Sequence, residues 1–129
     1  MSANTWLMVA MGGALGASTR FGASLILPVG HVFPWATLSV NLLGCFAIGF
    51  LFQMGLGKDL GLWMPFLMVG FLGGFTTFSS FGLEVFKLFN NKQFTYLVVY
   101  VLISNIIGFV AVFGGMKSYK LWFNAPVVL

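Results

Sequence analysis

The sequence predicts an all-α membrane protein with four transmembrane helices per chain, the third of them broken at its centre. Three observations lead there. Of the 129 residues, 60% are hydrophobic and only 6% charged, where soluble domains carry about 25% charged residues. Mean hydropathy is +1.03. The few charges also fall so as to leave long apolar segments: residues 5–29 carry Arg20 alone, and residues 32–57, 60–83 and 93–116 carry none. A bilayer-crossing helix needs roughly 20 apolar residues. The spans are therefore placed at about 4–28, 34–56, 62–88 and 94–118, forming one domain over residues 1–129. The separators "PVGHVFP", "GKDLG" and "NNKQ" have the Pro, Gly, Asn and charge of turns. The opening "MSANT" holds no positive charge, so a signal peptide is not expected.

In the first span Arg20 is the costly residue, since insertion scales put an arginine at a helix centre at about 2.5–3.5 kcal/mol. Its place towards the 28–34 loop allows either snorkelling to the interface or a positive vestibule that draws anions. Gly12/Gly16 here and Gly70/Gly74 in the third span have GxxxG spacing, which lets helices approach closely.

In the second span Thr37 and Asn41 share a helix face. An amide can bind helices together or donate N–H groups to an anion. Cys45 is the sole cysteine, so no intrachain disulfide is possible and no metal cluster is suggested. It reads as a small packing residue.

The third span carries "GGFTTFSSFG" at 73–82, near its centre. Gly73-Gly74 permits non-helical backbone there, and the hydroxyls of Thr76, Thr77, Ser79 and Ser80 can satisfy freed backbone groups. A break at membrane depth is tolerated only where it is buried in protein or lines water, and it exposes carbonyls able to hold a cation. Phe75, Phe78 and Phe81 recur every three residues, Phe78 and Phe81 on one face. Their rings either pack or turn positive edges towards a small anion. Glu84, near the end of this helix, reads most simply as paired with Lys87 at i, i+3. In the fourth span Tyr100 and Ser104 are four apart and make a polar stripe, with Asn105 beside them.

The net charge of +4 is scattered rather than gathered in a patch, so nucleic acid is not an expected partner. On one membrane side stand Lys58, Lys117 and Lys120; on the other, Lys87 and Lys92. That bias is too slight to fix one orientation. It fits an ordinary protein with a poor signal, or one that inserts both ways and pairs antiparallel. Four helices of this length enclose little interior, which favours an oligomer.

"GGALGASTRF" at 12–21, "TLSVNLLG" at 37–44 and "GGFTTFSSF" at 73–81, together with the four spans, resemble the Fluc (CrcB) family of fluoride channels over nearly the whole chain. The resemblance implies an antiparallel, dual-topology homodimer with two fluoride pores and a structural sodium ion at its centre. Backbone carbonyls of Gly73 and Thr76 from each chain would hold the sodium. Phe78 and Phe81 match the pore-lining phenylalanines, and Asn41 matches the pore asparagine that donates hydrogen bonds. Thr37 and Arg20 match positions towards the vestibule, and Glu84 matches the glutamate after the break. Tyr100 and Ser104 match part of a polar track on the fourth helix. Gly108 lacks the hydroxyl some members carry one turn further, so the track is shorter here or Asn105 supplements it. Phe75 is left to pack. The implied role is passive fluoride export and fluoride resistance, in a bacterial inner membrane.

The residues suit that chemistry. Fluoride is small and tightly hydrated, so a pore must replace water with donors, for which Asn41, Thr77, Ser79, Ser80, Tyr100 and Ser104 are candidates. Neutral donors and ring edges can bind the ion and still release it. A small dual-topology multidrug exporter would need a membrane-embedded acid, usually in the first helix, and there is none there. A non-transport assembly subunit would explain the glycines but not the convergence of Asn41, hydroxyls and phenylalanines. There is no GxxxxGK[ST] motif, and lone His31 with no nucleophile partner gives an enzyme no support.

Overall fold

The structure, a computed structural model, describes residues 2–27 and 32–124, and every element among them is helical. Pro28 and His31, read as part of the first loop, lie outside the described residues. The helices are α1 (Ala3–Ile26) and α2 (Trp35–Gly57), then a third helix in two pieces. Its first piece, α3, is wound as a π-helix over Pro65–Leu72 and as α-helix over Gly73–Phe75. Its second piece is α4 (Phe78–Asn90). The last helix, α5 (Phe94–Phe123), contains a π turn at Ile103–Ile107 and runs on beyond the expected end of the fourth span.

Trp35–Gly57, Pro65–Asn90 and Phe94–Phe123 are each long and apolar enough to cross a membrane. That makes three of the four expected spans. α1 has the length, 24 residues, but its Gly, Ala, Ser and Thr residues and Arg20 dilute its apolarity below that of the other three.

α1 lies along α3, α2 along the C-terminal part of α5, and α4 along the first turns of α5. Glycine makes the first two seams. A Cβ on Gly12 would strike the Phe66 carbonyl, one on Gly70 the Val9 carbonyl and Gly12 Cα, and one on Gly74 the Gly13 carbonyl. The two GxxxG pairs thus face each other, backbone against backbone. Across the other seam a Cβ on Gly49 would strike the Val112 carbonyl, and one on Gly115 the Phe46 carbonyl.

The third helix is broken, but not at its glycine pair. Gly73 is helical, at φ −62° and ψ −36°. Thr76 (φ −83°, ψ 158°) and Thr77 (φ −152°, ψ 121°) are the extended residues. Gly74 is needed for its close approach to α1, whereas β-branched threonine takes extended backbone readily.

The chain alternates across the bundle. The Phe33 ring meets the Tyr96 ring edge-on at 6.1 Å, joining the start of α2 to the start of α5 at one end. At the other end Lys58 Nζ sits 5.4 Å from the centre of the Phe123 ring, beside the turn after α2. In that turn Asp59 Oδ1 accepts the Gly61 N–H at 2.9 Å, with Gly61 at φ +51°. The apolar core, Phe33, Leu38, Leu88 and Tyr100, fixes α4 between α2 and α5.

Candidate functional site

A helix broken in mid-membrane strands backbone donors and acceptors, each at several kcal/mol if left unmet in hydrocarbon. Three side chains take up that need, two of them from other parts of the sequence. Asn41 on α2 holds the Thr77 peptide unit at two points: its Oδ1 accepts the Thr77 N–H at 2.8 Å, and its Nδ2 donates to the Thr77 carbonyl at 3.0 Å. Arg20 Nε donates to the Gly74 carbonyl at 3.0 Å. In an unbroken helix that carbonyl would have received the Phe78 N–H. Thr77 Oγ1 accepts the Ser80 N–H at 3.2 Å and so caps α4, a position where threonine side chains meet orphan helix donors.

The carbonyls of Gly73 and Thr76 lose their helical donors as well. The Thr77 N–H that would serve Gly73 turns to Asn41, and the Ser80 N–H that would serve Thr76 turns to the Thr77 hydroxyl. Neither carbonyl takes another backbone donor among the described residues. Among the described residues no group of three His, Cys, Asp or Glu side chains could hold a metal.

Glu84 is not paired with Lys87. Its Oε1 accepts the Thr37 hydroxyl and its Oε2 the Tyr100 hydroxyl, both at 2.7 Å. Lys87 lies in the last turn of α4 and is exposed, where its ammonium is better hydrated than against a half-buried carboxylate. Buried polar groups need partners, and these two hydrogen bonds give one to each carboxyl oxygen. Tyr100 is fully buried, which holds its hydroxyl on target.

Beside the break lies a cavity of about 350 Å³, formed by α2, α3, α4 and α5. Asn41, Thr76, Thr77, Gly73, Phe78, Phe81 and Ser104 all line it. Phe81 stands between Phe78 (5.5 Å between ring centres) and Tyr100 (5.1 Å). Phe78 is 82% exposed in the single chain. Ser104 Oγ is buried with no hydrogen-bond partner among the described residues.

The residues expected from sequence therefore divide into three groups. Seven meet at the cavity. Thr37, Glu84 and Tyr100 form a hydrogen-bonded cluster off the cavity wall, with the Tyr100 ring beside that of Phe81. Arg20, Ser79 and Ser80 are not on its wall: Arg20 holds α3, Ser80 is tied to the Thr77 hydroxyl, and Ser79 is exposed. Thr76 Oγ1 bonds back to the Leu72 carbonyl at 2.9 Å, and its methyl lies where a Gly44 side chain would be. Gly44, Cys45 and Ile48 also line the cavity and were missed as site residues. Their signal was present, since with Asn41 they follow i, i+3, i+4, i+7, one helix face.

The chain matches the family model described as "CrcB-like protein, Camphor Resistance (CrcB)" over residues 7–116. It is 44% identical over 124 residues to a protein of Chlorobium phaeobacteroides (strain DSM 266) named fluoride-specific ion channel FluC, covering 92% of this chain and 95% of that one. A Helicobacter pylori (strain P12) protein of the same name is 42% identical over 115 residues, covering 83% and 86%. The quoted motifs, the helix broken beside Asn41 and these matches agree: the chain belongs to the CrcB family.

Proposed function

We propose that this chain is a passive, fluoride-selective channel that lets cytoplasmic fluoride leave the cell and so confers fluoride resistance. The observation that carries the reading is the cavity at the break, where neutral donors and phenylalanine rings meet without a buried lysine or carboxylate on the wall. Relatives covering most of the chain are named fluoride-specific ion channels. The Asn41 amide spends one N–H on Thr77 and keeps a second to offer. Ser104 Oγ has a proton and no partner among the described residues. The edges of Phe78 and Phe81 add positive quadrupole contact. Such sites replace fluoride's water without trapping the ion.

The working unit in this proposal is an antiparallel, dual-topology homodimer with two pores, each chain crossing a bacterial inner membrane four times and facing lipid. The exposed Phe78 and the near balance of Lys58, Lys117 and Lys120 against Lys87 and Lys92 support it. α1 crosses with α3 as its partner, its backbone shielded by the glycine seam. A sodium ion at the dimer centre fits the residues present, because the Gly73 and Thr76 carbonyls have lost their helical donors. When bound it would supply a fixed positive charge and join the two chains. Glu84 holds Tyr100 and Thr37 in place beside Phe81.

Reconstitution in liposomes loaded with fluoride or chloride tests the reading. Rapid fluoride efflux with negligible chloride efflux, at a rate unchanged by pH, is expected. A folded protein that passes no fluoride, or passes chloride as fast, refutes it.

A further inference from the structure

We infer that Asn105 is a further donor to the anion, acting from the fourth helix beside Ser104 where Gly108 offers no hydroxyl; this rests on the fluoride reading above. α5 is not wound uniformly. The π turn over Ile103–Ile107 widens the helix locally, a feature frequent at functional sites. Consecutive residues of a regular α-helix do not face one way, yet Ser104 and Asn105 both line the cavity that holds Asn41 and the Phe78–Phe81 pair.

Asn105 Nδ2 donates to the Val101 carbonyl at 2.8 Å. An amide nitrogen has two N–H groups, so one anchors the side chain and the other is free to meet an acceptor. The residue is exposed in the single chain and can be reached by an ion. Its neighbour Ser104 has a buried hydroxyl without a partner among the described residues, and buried polar groups in folded proteins are satisfied as a rule. An anion between the two would accept from both. One turn on, a Cβ at Gly108 would meet only Cys45 Sγ, at 3.6 Å. That is ordinary contact, so a Cβ is accepted at this position.

Fluoride efflux from liposomes tests this with Asn105→Ala, Asn105→Asp and Asn105→Ala/Gly108→Ser, each checked for folding by size-exclusion chromatography. Asn105→Ala should slow efflux about tenfold, the worth of one hydrogen bond. Asn105→Asp should be slower still, since a carboxylate repels the anion. Gly108→Ser should restore most of the rate lost in Asn105→Ala, a rescue that mere helix packing would not give. Wild-type rates in Asn105→Ala, or no rescue by Gly108→Ser, overturn the assignment. Should Asn105→Ala fail to fold, the near-isosteric Asn105→Asp decides alone, and a wild-type rate there overturns it. Wild-type protein in the same series separates the two ideas. If it passes no fluoride the channel reading falls, and if it conducts while the variants match it only the role of Asn105 falls.

Discussion

The two halves of the third helix are held in place by different physics. α3 is packed: Gly70 and Gly74 set its backbone directly on Gly12 and Gly13 of α1, and the one side-chain hydrogen bond that reaches its end from another helix comes from Arg20. α4 is tethered: Asn41 grips its first turn through Thr77, and Thr37 and Tyr100 grip Glu84. Close packing is short-ranged and tolerates no added atom, whereas a hydrogen-bond set is directional and fails by losing a partner. The break sits where one regime gives way to the other. It can therefore stay open in hydrocarbon without a strand, a disulfide or a buried ion pair.

The sharpest way to break this comparison is Gly70→Val. Its Cβ would lie among backbone atoms on α1 that cannot turn aside, where overpacking costs about 1–3 kcal/mol even in softer cores. We expect little or no folded protein by size-exclusion chromatography, while Gly82→Ala on α4, where a Cβ meets nothing within 4 Å, folds normally. Normal folding of Gly70→Val would mean that α3 is not packed as described. Next comes Asn41→Leu, which leaves the Thr77 N–H unmet at about 1–3 kcal/mol and takes one of two donors from the Thr77 carbonyl at about 0.5–1.5 kcal/mol more. The protein should unfold at lower temperature and lose most fluoride efflux; unchanged melting would show that the break does not depend on this clamp. Smaller is Tyr100→Phe, which removes one bond to Glu84 worth about 0.5–1.5 kcal/mol. Combined with Thr37→Val in a double-mutant cycle, it should show coupling through the shared carboxylate; simple additivity would dissolve the cluster. Smallest is Arg20→Lys, which keeps the charge but loses the fixed planar fork. A modest fall in melting temperature is expected, well short of that in Asn41→Leu.

Much of this was legible because each signal was local. Apolar segment lengths gave the helices, and "GGFTTFSSFG" gave the break to within a few residues. What one segment cannot contain is the partner across space. The glycine pair looked like the break because glycine permits irregular backbone. Only the facing Gly13 reveals that Gly74 is used for approach, leaving the two threonines to extend. Glu84 looked paired with Lys87 because i, i+3 is visible in sequence, whereas its true partners, Thr37 and Tyr100, lie on other helices. Arg20 and Gly74 are 54 residues apart, and no periodicity links them. The wall formed by Gly44, Cys45 and Ile48 was readable from the face that Asn41 sets, had that face been followed further.

The central claim is that ions pass the break by way of its phenylalanine pair. The most direct measurement is fluoride efflux from liposomes containing the Phe78→Ile/Phe81→Ile double variant, with the oligomer checked by size-exclusion chromatography. The account predicts an intact dimer whose fluoride efflux is severely impaired. An intact dimer that passes fluoride at the wild-type rate would contradict it.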